Sequence, residues 1–365
     1  MARNRVIYQS EALFINKDAS LAGGYKQLER VQSANYSFSI NRQDVNQYGQ
    51  LGKLDSIQLD APTVNADCSY YITDGFTERA MGFFVATGGA SATAGGFVSG
   101  HLADGSGRNL IILTTPEGTD ADLPTRATGS TDSAIGIGNC YLSDYSVEMS
   151  VGSIPTASVS FDALNISSNQ VGAHGAGFDS PAIDPVNGTA LTNKVELPNA
   201  STGQGNTTAL RPGDITINIS EFDGTPLADI GAGVSGAHIQ SASLSVPMSR
   251  STLERLGSRS AYARSVDFPI QASLSVSAIL NEVETSNLAD IIDDEVEKTV
   301  TLTLKKDDGA TGIIYTLKGV SFDGESISSS IGSNKSVDLS FSTSVGGPND
   351  TSHGVFMSGS SNTTV

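Results

Sequence analysis

Residues 31–49 read VQSANYSFSINRQDVNQYG, and residues 239–257 read IQSASLSVPMSRSTLERLG. Aligned without gaps, Gln32-Ser33-Ala34 meets Gln240-Ser241-Ala242, Ser37 meets Ser245, Arg42 meets Arg250 and Gly49 meets Gly257. Six of the nineteen positions are identical, where chance at about 6% per position gives about one. Several substitutions exchange one apolar residue for another: Val31 for Ile239, Phe38 for Val246, Ile40 for Met248, Val45 for Leu253. After a one-residue slip, Leu59-Asp60-Ala61-Pro62 meets Val266-Asp267-Phe268-Pro269. Further on, Ser150-Val151-Gly152-Ser153 meets Ser330-Ile331-Gly332-Ser333, and Val159-Ser160-Phe161 meets Leu339-Ser340-Phe341. Separate segments matching in the same order indicate a duplicated domain, and two copies with so long a period exclude a solenoid.

Each half carries the period-2 alternation of half-buried strands. In Ser243-Leu244-Ser245-Val246 and in Ala272 to Ser277 the apolar residues fall on one face and the serines on the other. Thr299 to Leu304 runs through Lys305-Lys306-Asp307-Asp308-Gly309 to Ile313-Ile314-Tyr315, which predicts a hairpin with an Asp-Gly turn. Its first-half counterpart is Leu110 to Leu113, with a longer polar loop before Ile135. One short helix per half is expected, over Ser286 to Ile292 and over Glu78 to Phe84. Each half therefore reads as an antiparallel sandwich or curled sheet with one helix against it, residues 1–165 and 210–345. Residues 166–209, rich in Asn, Gly, Ser and Pro, are expected to be a linker or small insertion, and residues 346–365 a C-terminal arm.

Composition agrees with this mainly β class. Only 16% of the 365 residues are charged and 38% hydrophobic, the balance being made up by Gly and small polar residues, with no Trp. A helical bundle would require more Leu, Glu and Lys. The formal net charge of −18 excludes a chain that grips nucleic-acid phosphates. Cys68 and Cys140 form no CxxC and are expected to be buried thiols in a reducing compartment. Gln9, Ser10 and Glu11 interrupt any apolar stretch at the start, and no run approaches 18 apolar residues. The expectation is synthesis in a cytoplasm without export, and no membrane partner.

No motif calls for a cofactor, a metal or catalysis. Gly231 to Gly236 matches GxGxxG, but an alternating strand follows where a dinucleotide fold needs a helix, so it reads as a loop. His101, His174, His238 and His353 lack metal-ligand spacing. Asp293, Asp294, Glu295 and Glu297 read as a solvated turn rather than a glycosidase pair. The chain is expected not to be an enzyme. One pattern stands out: segments 41–60 and 249–268 mix arginine, aromatic and aliphatic residues, the composition of interface anchors. The candidate contact residues are Arg42, Tyr48 and Leu51 in the first segment. In the second they are Arg250, Leu253, Leu256, Arg259, Tyr262 and Arg264.

These residues resemble the major tail tube proteins of tailed bacteriophages. The resemblance rests on Val246, Arg250, Leu256-Gly257, Tyr262, Arg264 and Pro269, and on the partner run from Phe38 to Pro62, which lacks the second arginine. Asp144 to Phe161 and Val337 to Phe341 resemble the ends of the family's domain. The resemblance implies two tandem tail-tube-like β-sandwich or barrel domains, each with one short helix and a long inter-strand loop. It also implies self-assembly: six-fold rings with sheets joined into a barrel, the long loop reaching the next ring. With two domains per chain, three chains would complete a pseudo-hexameric ring, the alternative being a hexamer. Other tail proteins would be partners, DNA would pass through the lumen without specific binding, and the site of action would be the virion tail, assembled in the host cytoplasm. The runner-up is a β-rich surface or carbohydrate-binding module, against which the absence of Trp counts.

Overall fold

The computed structural model describes residues 7, 10–16, 24–87, 95–102, 107–122, 132–171, 178–185, 187–198, 209–210, 215–218, 238–257, 261, 263–279, 297–306, 309–329, 334 and 336–360. The fold is mainly β and built on one large antiparallel sheet. In chain order its first half holds β1 (Glu11–Asn16), β2 (Lys26–Gln27), β3 (Val31–Ser39), β4 (Arg42–Val45), β5 (Asp55–Gln58) and β6 (Thr63–Tyr71). These are followed by α1 (Phe76–Met81), β7 (Val85–Thr87), α2 (Ser99–Leu102), β8 (Arg108–Thr114), β9 (Asp132–Ser150), β10 (Thr156–Ala163) and β11 (Asn165–Val171). A small pair, β12 (Phe178–Asp179) and β13 (Lys194–Val195), precedes β14 (Ile215–Asn218). The second half continues with β15 (His238–Pro247), β16 (Arg250–Leu253), β17 (Ala263–Val266), β18 (Ile270–Ile279) and β19 (Lys298–Lys305). It closes with β20 (Thr311–Ser328), β21 (Ser336–Val345) and β22 (Gly354–Gly359).

The strand order β14-β19-β20-β21-β18-β15-β9-β10-β6-β3 runs through both halves without a break. Its centre is two four-strand blocks, β20-β21-β18-β15 and β9-β10-β6-β3, joined where β15 pairs with β9. The blocks correspond in register. In the first, Ala34, Cys68, Val159 and Tyr145 lie side by side; in the second, Ala242, Val276, Leu339 and Glu325 do. A bulge interrupts β3 between Val31 and Ser33, and another interrupts β15 between Ile239 and Ser241. Both long strands are bulged beside the matched Phe161 and Phe341.

The two long strands also turn at matched points. Asn139 in β9 (φ 53°) and Gly319 in β20 (φ 62°) are both left-handed, a conformation that Asn and Gly tolerate. Before the corner, β9 pairs with β8 and β11; after it, with β10 and β15. Likewise β20 pairs first with β19 and β22, then with β21. A strand that changes partners at a bend folds a second layer over the first, and the core lies between them.

The seam between the halves is packed with aromatic rings. Phe83 and Phe97 stack at 4.3 Å, and Phe97 meets Tyr145 of the first half at 4.7 Å and Tyr315 of the second at 6.4 Å. The Tyr145 and Tyr315 hydroxyls are hydrogen-bonded at 2.9 Å. The Phe97 amide donates to the Val355 carbonyl (2.8 Å), and β7 adds in parallel to β22 with Val85 beside Met357. Elements from early in the chain thus cap the end of it. Emptying the Phe97 site would cost about 3–5 kcal/mol.

Several expectations change. Within residues 346–365, Gly354–Gly359 is not an arm: as β22 it is buried between β20 and β7. It was missed because a strand covered on both faces shows no alternation. Within 166–209, β11 continues the fold by pairing with β9, and β12–β13 forms a lobe whose Ala182 and Val195 are fully buried. The expected first-half helix is α1, stopped by Gly82 in the left-handed conformation (φ 95°), so Phe83 and Phe84 lie beyond it, and a second short helix, α2, follows where one was expected. The helix expected over 286–292 lies outside the described residues. The β19–β20 hairpin is present with Gly309 at φ 80°, while Asp307 and Asp308 lie outside them. Cys68 and Cys140 are buried free thiols, and burial pushes Cys68 up to about 12.

Candidate assembly surfaces

Period-2 alternation places the apolar residues of the eight central strands inward and their polar partners on the other face. One row of side chains crosses the whole face through paired neighbours: Ser33, Ser69, Ser158, Ser146, Ser245, Ser273, Ser342 and Ser321. The charged residues beside this row are Asp67, Asp144, Glu148, Asp162, Asp323 and Asp338. Among the described residues of β3, β6, β10, β15, β18, β21, the 141–150 part of β9 and the 321–328 part of β20, none is Lys or Arg. Partial burial raises the Asp144 carboxyl above its ordinary value. The face is therefore neutral hydroxyl and amide with negative charge superposed, and it repels a polyanion.

The first long loop is a projecting hairpin. Among the described residues β4 and β5 pair only with each other, from Arg42 beside Gln58 to Val45 beside Asp55. Arg42 is exposed, and so are Val45, Leu54 and Ile57, while Tyr48 and Leu51 at the tip stand wholly in solvent. The Lys53–Asp44 ion pair, at 3.0 Å and half in solvent, adds little. A lone two-stranded hairpin is marginal in water and needs another surface to hold its shape.

The second hairpin, β16–β17, is anchored differently. Arg250 donates to the His101 carbonyl at 2.7 Å, and its guanidinium lies 5.2 Å from the Tyr141 ring centroid. Arg264 lies 5.5 Å from the same ring. Burial lowers the Arg264 pKa, opposed by Tyr141 and Asp162. His101, buried near Arg108 and Arg250, is held well below the usual histidine range, first by burial and then by those charges. Two of the expected contact arginines thus tie the hairpin base to the first half of their own chain. Leu253 is exposed and Leu256 at the tip is wholly in solvent. Arg259 and Tyr262 lie outside the described residues. The structure brings Arg250 and Arg264 together on Tyr141 and leaves Arg42, Tyr48, Leu51, Leu253 and Leu256 on the outside.

Two features escaped the sequence reading. Tyr36, Phe38 and Ile327 are exposed although they lie on the apolar side of the sheet, because they sit on its edges. Glu78 on α1 is fully buried, accepts a hydrogen bond from the Tyr70 hydroxyl at 3.0 Å, and is pushed up to about 7 by burial. Alternation could have marked Tyr36 and Ile327 as inward-facing, but only the strand order shows that nothing covers them. Among the described residues no cluster of His, Cys, Asp or Glu is arranged to hold a metal ion. His353 meets Glu297 at 3.0 Å and Asp350 at 3.6 Å on the surface. The Gly231–Gly236 segment lies outside the described residues. Among the described residues no helix is long and apolar enough to cross a membrane.

No family model matches the chain. No curated protein matches it either. Among solved structures, it is similar to one described as the tail of an empty GTA particle, computed with helical refinement in C6 symmetry. The TM-score is 0.27 and the identity 16%, over 38% of this chain and 96% of that one.

Proposed function

We propose that this chain is the repeating subunit of a bacteriophage tail tube, a structural and non-enzymatic protein of the virion that stacks as rings around a channel for DNA. The observation that carries the reading is the polar face shared by eight strands from both halves, with its serine row, its acids and no Lys or Arg. A channel for DNA needs a wall that does not bind phosphate, and this wall offers no cation whose counterion a phosphate could replace. The exposed hairpins support stacking, since Tyr48, Leu51, Leu253 and Leu256 are apolar groups with no cover in a single chain. Matched register, matched bulges and matched corners favour a duplicated tube domain. Three chains per ring follow from that duplication.

Negative-stain microscopy of the purified protein, with its solution mass, tests this. Hollow stacked rings and masses in multiples of three chains are the expected result. Multiples of six only would keep the tube and overturn the trimeric ring. A compact monomer at every concentration, with or without isolated tail tips as nucleators, would overturn the reading.

A further inference from the structure

A buried carboxyl group belongs to the cap that the first half places on the second. The cap consists of three short pieces: α1, the three residues of β7, and Phe97. None is long enough to persist alone, so contacts with β22 hold them in place. Val85, Ala86 and Thr87 pair with Met357, Ser358 and Gly359. Phe84 donates to the Phe97 carbonyl and Phe97 to that of Val355, both at 2.8 Å. At the helix start, β22 lies so near that a side chain at Gly359 would collide with the Asp74 carbonyl.

Glu78 of α1 is wholly out of water, with Oε1 accepting from Tyr70 at 3.0 Å and Oε2 without a hydrogen-bond partner among the described residues. Tyr70 from β6, Tyr145 from β9 and Tyr315 from β20 face it. So do Asp74 before the helix, Glu29 from the turn before β3 and Arg79 on α1 itself. β7 and β22 contain no charged residue. Burial holds the three tyrosines well above their ordinary range, so they stay neutral. Arg79, half-buried, donates to the Val85 carbonyl, while Asp74 and Glu29 oppose a negative charge on Glu78. A site that leaves one carboxyl oxygen dry and unsatisfied suits the neutral acid and penalises the anion. We infer that Glu78 is a proton-operated latch: its neutral form keeps α1, β7 and Phe97 closed over β22, and its ionised form lets this cap lift while the central sheet stays paired. Lifting uncovers Val355 and Met357, core residues of the second half. It also returns Glu78 to water and to its ordinary value of 4.5, against about 7 when burial acts on it. Closure is therefore strongest below 4.5, weakens as pH rises and levels off above about 7. The cap yields before the sheet because it hangs on three strand pairs, whereas β10 pairs with β6 over eight residues and β18 with β21 over ten. The latch does not rest on the tube reading.

Amide hydrogen exchange of the full-length, unassembled chain tests the latch, with each rate corrected for intrinsic exchange at its pH. Between pH 6 and 8, protection at Phe83, Phe84 and Phe97 should fall about 10-fold, most of it below pH 7. Protection in β10 and β18 should stay level over the same range. Glu78→Gln should hold the cap's protection constant throughout. A wild-type cap that shows no fall, or that falls together with β10 and β18, would overturn the inference. So would a Glu78→Gln cap that keeps the pH dependence. Tyr70→Phe gives a second reading that does not depend on the Glu78 variant folding. It removes a hydrogen bond that favours the ionised carboxyl, so the fall should move to higher pH. A fall at the same pH as in the wild type would refute the latch.

Discussion

Replacing Glu78 by Gln isolates one buried charge at the seam between the halves. Glu78 sits on α1 wholly out of water; its Oε1 accepts from Tyr70, and its Oε2 has no hydrogen-bond partner among the described residues. Tyr315 from β20 and Tyr145 from β9 face the same site, and Asp74 and Glu29 add negative charge. Burial, assisted by those acids, raises the carboxyl from 4.5 to about 7. The folded state therefore holds its proton over a range where the unfolded chain has released it. The associated stability is complete below pH 4.5 and is lost as pH rises to about 7. The shift corresponds to about 3 kcal/mol. Glu78→Gln keeps an acceptor for Tyr70 and removes the titration. Urea unfolding of unassembled wild-type and variant protein, at intervals from pH 4.5 to 8, reads this as a difference, so ionisations common to both cancel. The variant should gain on the wild type with rising pH by about 3 kcal/mol and level off above neutrality. A difference that stays constant with pH would refute the reasoning.

The two hairpins should respond in opposite ways. Arg250→Ala loses a charge-assisted bond to His101 and its place over Tyr141, and should lower unfolding free energy by about 2–3 kcal/mol in urea titrations. Tyr48→Ala with Leu51→Ala should leave that value within about 0.5 kcal/mol, since neither side chain touches its own chain, yet abolish long tubes in micrographs. Charge reversal on the polar face, Glu148→Lys with Asp338→Lys, should leave the fold intact. Tubes assembled with duplex DNA present should then retain it in sedimentation and release it as salt rises, while wild-type tubes retain none.

Much of the fold was legible because β-strands with one wet face write their period into the chain. Ser243 to Val246 and Ala272 to Ser277 announced their strands, which the structure holds as parts of β15 and β18. The joint between β15 and β9 was not legible, because two edges meeting across a hundred residues leave no local pattern. β22 was hidden by being covered on both faces, and β11 by its Asn, Ser and Gln, residues of low strand propensity held in place by β9. The candidate contacts divided on the same ground. Composition marked both hairpins as anchors, but whether an arginine reaches another molecule or its own chain depends on Tyr141, more than a hundred residues away in sequence. Acids on the polar face became identifiable only through register, which fixes the face of each strand.

The parallel pairing of β7 with β22 ties Val85 to Met357. During synthesis the first of these leaves the ribosome long before the second exists, so the early half waits with Phe97 and its neighbours uncapped. A chain interrupted before Gly354 never receives that strand, whatever the quality of the rest. Synthesis of Gly354–Gly359 and closure of this part of the core are therefore one event, and chains ended before that strand carry an unfinished surface.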